Sequence, residues 1–271
     1  MTPRNFLIHG MIAGLLAGFV AFIVAFTVGE PPVDDAIAVE EAASAAEEAP
    51  AHDHGDEAAE EGHSHGDEEE GITRGQQAGP GLATATLLVG AVLGGVVGVT
   101  AAFAAGRLGR LGPVATTATV VGLGFVAYVL APWLKYPANP PAVGSGESIG
   151  TRTALYFSFV VISILAMVAA VLVARTVLAT AGAWAAVTAG VVLYVAVIAV
   201  TAWLMEPMPS IAESLVEKEF PAKVLADFRA ASLVTQGALW LTLGVALTGL
   251  VDRSAKREAV ETARREAAAA L

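Results

Sequence analysis

The sequence predicts an all-α, polytopic integral membrane helix bundle of about six transmembrane helices, and three observations carry that prediction. First, six apolar stretches (6–28, 82–105, 114–134, 154–174, 176–204 and 231–251) contain no Lys, Arg, Asp or Glu. Each is long enough to cross a hydrocarbon layer of about 30 Å as an α-helix at about 1.5 Å per residue. Second, apolar residues make up 55% of the chain and charged residues 15%, with a mean hydropathy of +0.65 that a water-soluble protein of this length does not reach. Third, charge is confined to the ends of the chain and the connections between the stretches. In lipid the backbone must satisfy its own hydrogen bonds, so uncharged runs of this length read as helices.

The first stretch is an uncleaved helix by this reading. Its apolar core exceeds a signal-peptide core, and Glu30-Pro31-Pro32 follows where cleavage would need small residues. Gly10, Gly14 and Gly18 in the first stretch and Gly90, Gly94 and Gly98 in the second form small-xxx-small rows. Such rows let two helix backbones approach closely, and bundle packing is their simplest meaning. There is no cysteine, which excludes disulfides, thiolate metal sites and cysteine nucleophiles.

Charge asymmetry orients the bundle. The termini and the two connections on their side carry nine Lys or Arg against four Asp or Glu, whereas the other three connections hold six and 22. The positive-inside rule places both termini, and the tail 252–271, in the cytoplasm. The implied location is a bacterial cytoplasmic (inner) membrane. The tail reads as a helical extension of the last span, within a single membrane domain of residues 1–271.

The first external connection, 30–79, is the longest. Sixteen Asp or Glu and no Lys or Arg fall between residues 30 and 70, so the segment is expected to be flexible. It carries His52, His54, His63 and His65 beside Asp53, Asp56 and Asp67. Imidazoles with carboxylates suit borderline divalent ions such as Co²⁺, Ni²⁺ and Zn²⁺. A mobile site of this kind collects metal weakly and releases it as the imidazoles protonate.

Prolines 132, 137, 140 and 141 are expected to end the third span and make a rigid extended turn. Beside them Lys135 and Tyr136 fall at interface depth, and Asn139, Glu147 and Arg152 are candidates for ordering an entrance. In the third external connection, Ile211, Leu215, Val216, Phe220, Val224 and Leu225 have the spacing of short interfacial helices. All three external connections share prolines, a nearby Glu (Glu30, Glu147, Glu206) and an Arg before the next span (Arg74, Arg152, Arg229). That scheme suggests three repeated hairpins and Glu–Arg pairing on the outer face. His9 is the one imidazole within a span, a packing residue or a pathway residue.

Several classes are disfavoured. The chain lacks a GxxxxGK[ST] nucleotide loop, an intramembrane carboxylate, an HExxH pair and a GxSxG elbow. It reads as a non-enzyme that binds membrane lipid and divalent metal, holds no permanent cofactor and binds no nucleic acid.

In order, Glu30-Pro31-Pro32, the segment 36–41, Thr73-Arg74-Gly75-Gln76-Gln77, Lys135-Tyr136-Pro137-Ala138-Asn139-Pro140-Pro141, Thr151-Arg152-Thr153, Phe220-Pro221 and Phe228-Arg229 resemble the probable cobalt transporter subunit family, CbtA. The resemblance covers nearly the whole chain. It implies a membrane subunit of cobalt uptake serving cobalamin synthesis, usually with about five spans. It also implies a small single-span, histidine-bearing companion subunit. Its motif positions here are Glu30, Pro31, Lys135, Tyr136, Pro137, Asn139, Pro140, Pro141 and Arg152. A rival from another class is a non-transporting membrane accessory or scaffold that hands metal to a separate carrier.

Overall fold

The computed structural model describes residues 2–48, 73–141, 143–209, 211–217 and 220–270. Its helices, in chain order, are α1 (Pro3–Val24), α2 (Glu30–Glu48), α3 (Arg74–Gln76), α4 (Leu82–Ala104), α5 (Pro113–Phe125), α6 (Ala131–Lys135), α7 (Ile149–Leu204), α8 (Ile211–Glu217) and α9 (Ala222–Ala269). No strand occurs among the described residues. Five continuous helical runs are long and apolar enough to cross a membrane: Pro3–Ala45, Arg74–Ala104, Pro113–Lys135, Gly146–Leu204 and Ala222–Ala269.

The fourth run crosses twice. Gly182 has φ 82° and ψ 178°, a region that only glycine occupies without strain. There residues 183–204 fold back on 149–181. Ser163 Oγ and Tyr194 OH are 2.9 Å apart, although a straight helix would separate them by about 46 Å. Five runs therefore make six passes. His9 at the start of the chain meets Ser254 near its end, with His9 Nε2 3.4 Å from Ser254 Oγ, so both termini lie at one end of the bundle. This is the basic end; the other end is formed by α2 and by the connections around 136–148 and 205–221.

Helix α1 packs along α4 and α9, and α9 also packs on α5. The two glycine rows face each other in an antiparallel register. A Cβ on Gly10 would lie 2.1 Å from the Gly94 carbonyl oxygen, and one on Gly14 would lie 2.0 Å from that of Gly90. Phe6, Ala13, Ala17, Val97, Leu243 and Leu247 fill the core beside this contact. The opposite face of α4 carries Leu88, Val92 and Val96, each more than half exposed, as a lipid-facing surface requires. Trp184 and Trp203 are 87% and 83% exposed and about 28 Å apart along their helix, the spacing of two aromatic belts.

Two expectations need correction. Glu30-Pro31-Pro32 does not end the first helix. The chain passes through a π-turn at Ala25–Gly29 and continues as α2 to Glu48, so the segment is helical from residue 30 to residue 48. Proline lacks an N–H and crowds the carbonyl four residues earlier; the wider turn relieves both problems. Pro132 likewise lies inside helix. It follows the π-turn Val126–Leu130 and opens α6, and the helix ends only at Lys135. A third π-turn, Gln77–Gly81, contains Pro80 and leads into α4.

The π-turn before Pro132 has a packing consequence. It shifts the Ala131 N–H onto the Val126 carbonyl, and Pro132 offers no N–H to the Ala127 carbonyl. Ser163 of α7 fills that vacancy, donating to Ala127 O at 2.7 Å, and Tyr194 bonds to the same hydroxyl. At the loop-rich end, Ala36 of α2, Val143 and Phe220 form a separate small core with Ile211, Leu215, Val224 and Leu225 against it. The apolar residues of the third connection thus pack on α2 and the second connection, apart from Val216, which is 77% exposed.

Candidate functional site at the loop-rich end

After Lys135 the backbone turns out of helix at Tyr136, with φ −128° and ψ 74°. Pro137 and Pro140 disfavour helix in the residues before them, Tyr136 and Asn139. Tyr136 is 3% exposed, stacks edge-on against Phe159 at 5.7 Å and donates its hydroxyl to the Glu206 carbonyl at 2.6 Å. Burial, then the Glu206 charge, pushes its phenol above the usual tyrosine range, so it remains a hydroxyl donor. Lys135 Nζ donates to the neighbouring Met205 carbonyl at 3.0 Å. Adjacent residues of one connection thus clamp the backbone of another.

Two arginines extend this lattice. Arg229 of α9 donates to the Ala138 carbonyl at 3.3 Å and to Asn139 Oδ1 at 2.8 Å. Arg152 of α7 donates to the carbonyls of Val143 at 3.2 Å and Ser145 at 3.1 Å. Gly144, with φ 94°, lies over Arg152; a Cβ there would sit 2.4 Å from Nη1. Its N–H reaches Ser214 Oγ of α8 at 3.1 Å, which ties the second connection to the third.

The expected Glu–Arg pairing holds for one arginine. Arg74 pairs with Glu30, and with Asp34 at 2.9 Å. Arg152 and Arg229 take carbonyls and an amide instead of Glu147 and Glu206. Glu206 contributes its backbone carbonyl, and the exposed Glu147 sits in a short 3₁₀ turn, Gly146–Ser148.

Beneath this lattice lies a chamber of about 450 Å³ between α6, α7 and α9. Asn139, Arg152, Thr153 and Tyr136 line its mouth, while Tyr128, Trp133, Tyr156, Ser232 and Gln236 line it towards the helices. None of its described lining residues is acidic. Tyr128, Tyr156, Ser232 and Gln236 were not candidates from sequence. The one available signal was Gln236, the single amide in the last span, with the Ser232 hydroxyl one turn before it.

The remaining candidates lie elsewhere. His52, His54, His63, His65, Asp53, Asp56 and Asp67 fall outside the described residues. His9 is about 27 Å along α9 from Gln236, at the basic end, so it does not belong to this chamber. No group of three or more His, Cys, Asp or Glu suited to hold a metal ion occurs among the described residues.

The family model described as "Probable cobalt transporter subunit (CbtA)" matches residues 3–252. The chain belongs to the CbtA family. No curated protein and no solved structure matches it. Membership makes this chain a multi-pass membrane protein of a probable cobalt transporter, and a subunit works with partner subunits. The CbtA match also runs through the whole lattice, from Glu30 on α2 to Arg229 on α9.

Proposed function

We propose that this chain is the membrane subunit of a cobalt uptake system in a bacterial inner membrane. Its termini are cytoplasmic, and the loop-rich end with its chamber is the external entrance. Ni²⁺ is the closest competing cargo, by ligand chemistry. The single observation that carries the reading is the chamber: in a chain of the CbtA family, the residues from Lys135 to Asn139 roof or line a space that opens between membrane helices. The acidic, histidine-bearing segment on the same side of the chain raises the local metal concentration through His52, His54, His63 and His65, aided by Asp53, Asp56 and Asp67.

Neutral oxygens then take over. Tyr128, Tyr156, Ser232 and Gln236 offer neutral, exchangeable polar contacts to a cargo that enters with ligands of its own, and they hold it weakly enough to release it. Glu30 acts indirectly, since Arg74 holds it, and the pair fixes α2 over the start of the second pass. Lys135, Tyr136 and Arg229 position the roof. A small single-span, histidine-bearing companion supplies what the uncharged bundle lacks, a ligand or driving step at depth.

Uptake of ⁵⁷Co²⁺ in cells tests this against the accessory-protein reading. Expression of the chain with its companion should give saturable uptake, and deletion of residues 51–66 should raise the half-saturation concentration severalfold while leaving the maximal rate. Unchanged uptake on removing the chain, with metal still bound by it, would favour the accessory role.

A further inference from the structure

The chamber's chemistry does not match a bare dication. Its volume of about 450 Å³ lies in the range of small organic-ligand sites and far exceeds what a dehydrated ion fills. A third of its described lining residues are aromatic, Arg152 is the one charged residue among them, and no described carboxylate lines it. A free divalent cation entering there meets a guanidinium with no described carboxylate to offset it.

Arg152 is also incompletely partnered. Two of its N–H groups go to the Val143 and Ser145 carbonyls, its Nε is enclosed without an acceptor, and no described carboxylate pairs with it. Arg229, which holds Ala138 and Asn139 of the same connection, has only a carbonyl and the Asn139 amide oxygen, so the roof holds a second guanidinium without a described counter-charge. Half-buried charges gain from a counter-ion, and two that are held only by neutral oxygens leave an anion's place. Guanidinium recognises carboxylates by geometry as well as charge. Around Arg152 the hydroxyls of Tyr128, Thr153 and Tyr156 and the Gln236 amide supply further donors.

We propose that the chamber binds a small organic anion bearing several carboxylates, with Arg152 as its charge partner. The inference rests on the transport reading above for its biological sense: a multidentate carboxylate is a chelator, and the anion arrives either free or as the complex that carries the metal. The donor set is the same for both sources.

The test uses the purified full-length chain in detergent micelles, with [¹⁴C]citrate, cobalt(II)–citrate and ⁵⁷Co²⁺ alone as probes in equilibrium dialysis. Citrate, in one or both forms, is expected to bind. Arg152→Gln should weaken that binding at least tenfold, and Arg152→Lys should weaken it less. Binding of ⁵⁷Co²⁺ alone should not change with either substitution. Preference for the cobalt complex identifies the chelate as the source, and preference for metal-free citrate identifies the free anion.

Arg152→Gln also removes bonds to the loop, so Gln236→Leu, which leaves the loop intact, is measured beside it. A severalfold loss is expected, and this variant decides the matter if Arg152→Gln does not fold. No citrate binding in either form at millimolar concentration, or equal binding by the folded variants, overturns the inference. Citrate binding without cellular ⁵⁷Co uptake would strike at the transport reading alone, and uptake without citrate binding at this inference alone.

Discussion

Tyr136 shows how a single side chain can decide a loop's position. Its ring is buried on Phe159 and its hydroxyl holds the Glu206 carbonyl 70 residues later. Tyr136→Phe keeps the ring contact and removes the bond, which should lower unfolding stability in detergent by about 1 kcal/mol. The pH dependence has a definite sign. The folded phenol titrates above its ordinary 10.0, so near and above that pH the unfolded chain loses the proton first. The stability from this group is complete below pH 10.0 and disappears as pH rises through the folded value, so the Phe variant should lose less stability than wild type above pH 10.0. Thermal melts from pH 8 to about 11 check this. Ser163 is the corresponding residue inside the bundle. Ser163→Ala strands both the Ala127 carbonyl, which Pro132 cannot serve, and the Tyr194 hydroxyl. The expected cost is about 1–3 kcal/mol, read as a fall in melting temperature, and Tyr194→Phe should cost less because Ser163 keeps its carbonyl.

Between helices, the glycine rows set the geometry. Because the neighbour of Gly14 is a backbone carbonyl that no rotamer change can move, Gly14→Val should cost more than about 3 kcal/mol and abolish a sharp melting transition. Gly249→Ala, in open space on α9, should be neutral or stabilising by up to about 1 kcal/mol. These rows were readable beforehand because spacing of four in an apolar run has one packing consequence. The passes were readable for the same reason: lipid allows an uncharged run of 20 residues little other than a helix. Proline was misleading at Pro31, Pro32 and Pro132, since its usual meaning as a stop is cancelled when a π-turn precedes it. The site was half legible. Lys135, Tyr136 and Asn139 stood out as polar residues among prolines at a span's end, Arg152 and Arg229 as arginines just before the next span, and the structure places them together in the roof. Their partners were not legible, because a carbonyl acceptor carries no side-chain signature; pairing by charge suggested Glu147 and Glu206, where the chain uses backbone oxygens. Tyr128 and Gln236 escaped because single polar residues in a span resemble packing residues until a chamber is seen beside them.

At the scale of the whole molecule, alternation of the ends is the property on which transport depends. The Ser254–His9 contact places both termini together, and the fold-back at Gly182 makes the number of passes even. If residues 149–204 crossed only once, the loops before and after would lie on opposite sides, and Lys135 could not reach the Met205 carbonyl. The absence of cysteine makes this directly measurable, since any introduced thiol is the sole target. Single cysteines at Glu147 and Glu213 should react with a membrane-impermeant maleimide applied to intact cells lacking the outer membrane. Cysteines at Arg107, Gly182 and Glu258 should react only after permeabilisation. Labelling of Gly182 and Glu147 from the same side would refute the hairpin within α7. Labelling of Glu258 from outside, with Glu147 protected, would invert the bundle and turn the chamber towards the cytoplasm, making it an exit instead of an entrance. Because Gly182→Cys also forces a side chain into a glycine-only conformation, Ala181→Cys at the same turn serves as the unstrained reporter. Agreement between 181 and 107, with 147 and 213 on the other side, is the pattern that six passes require.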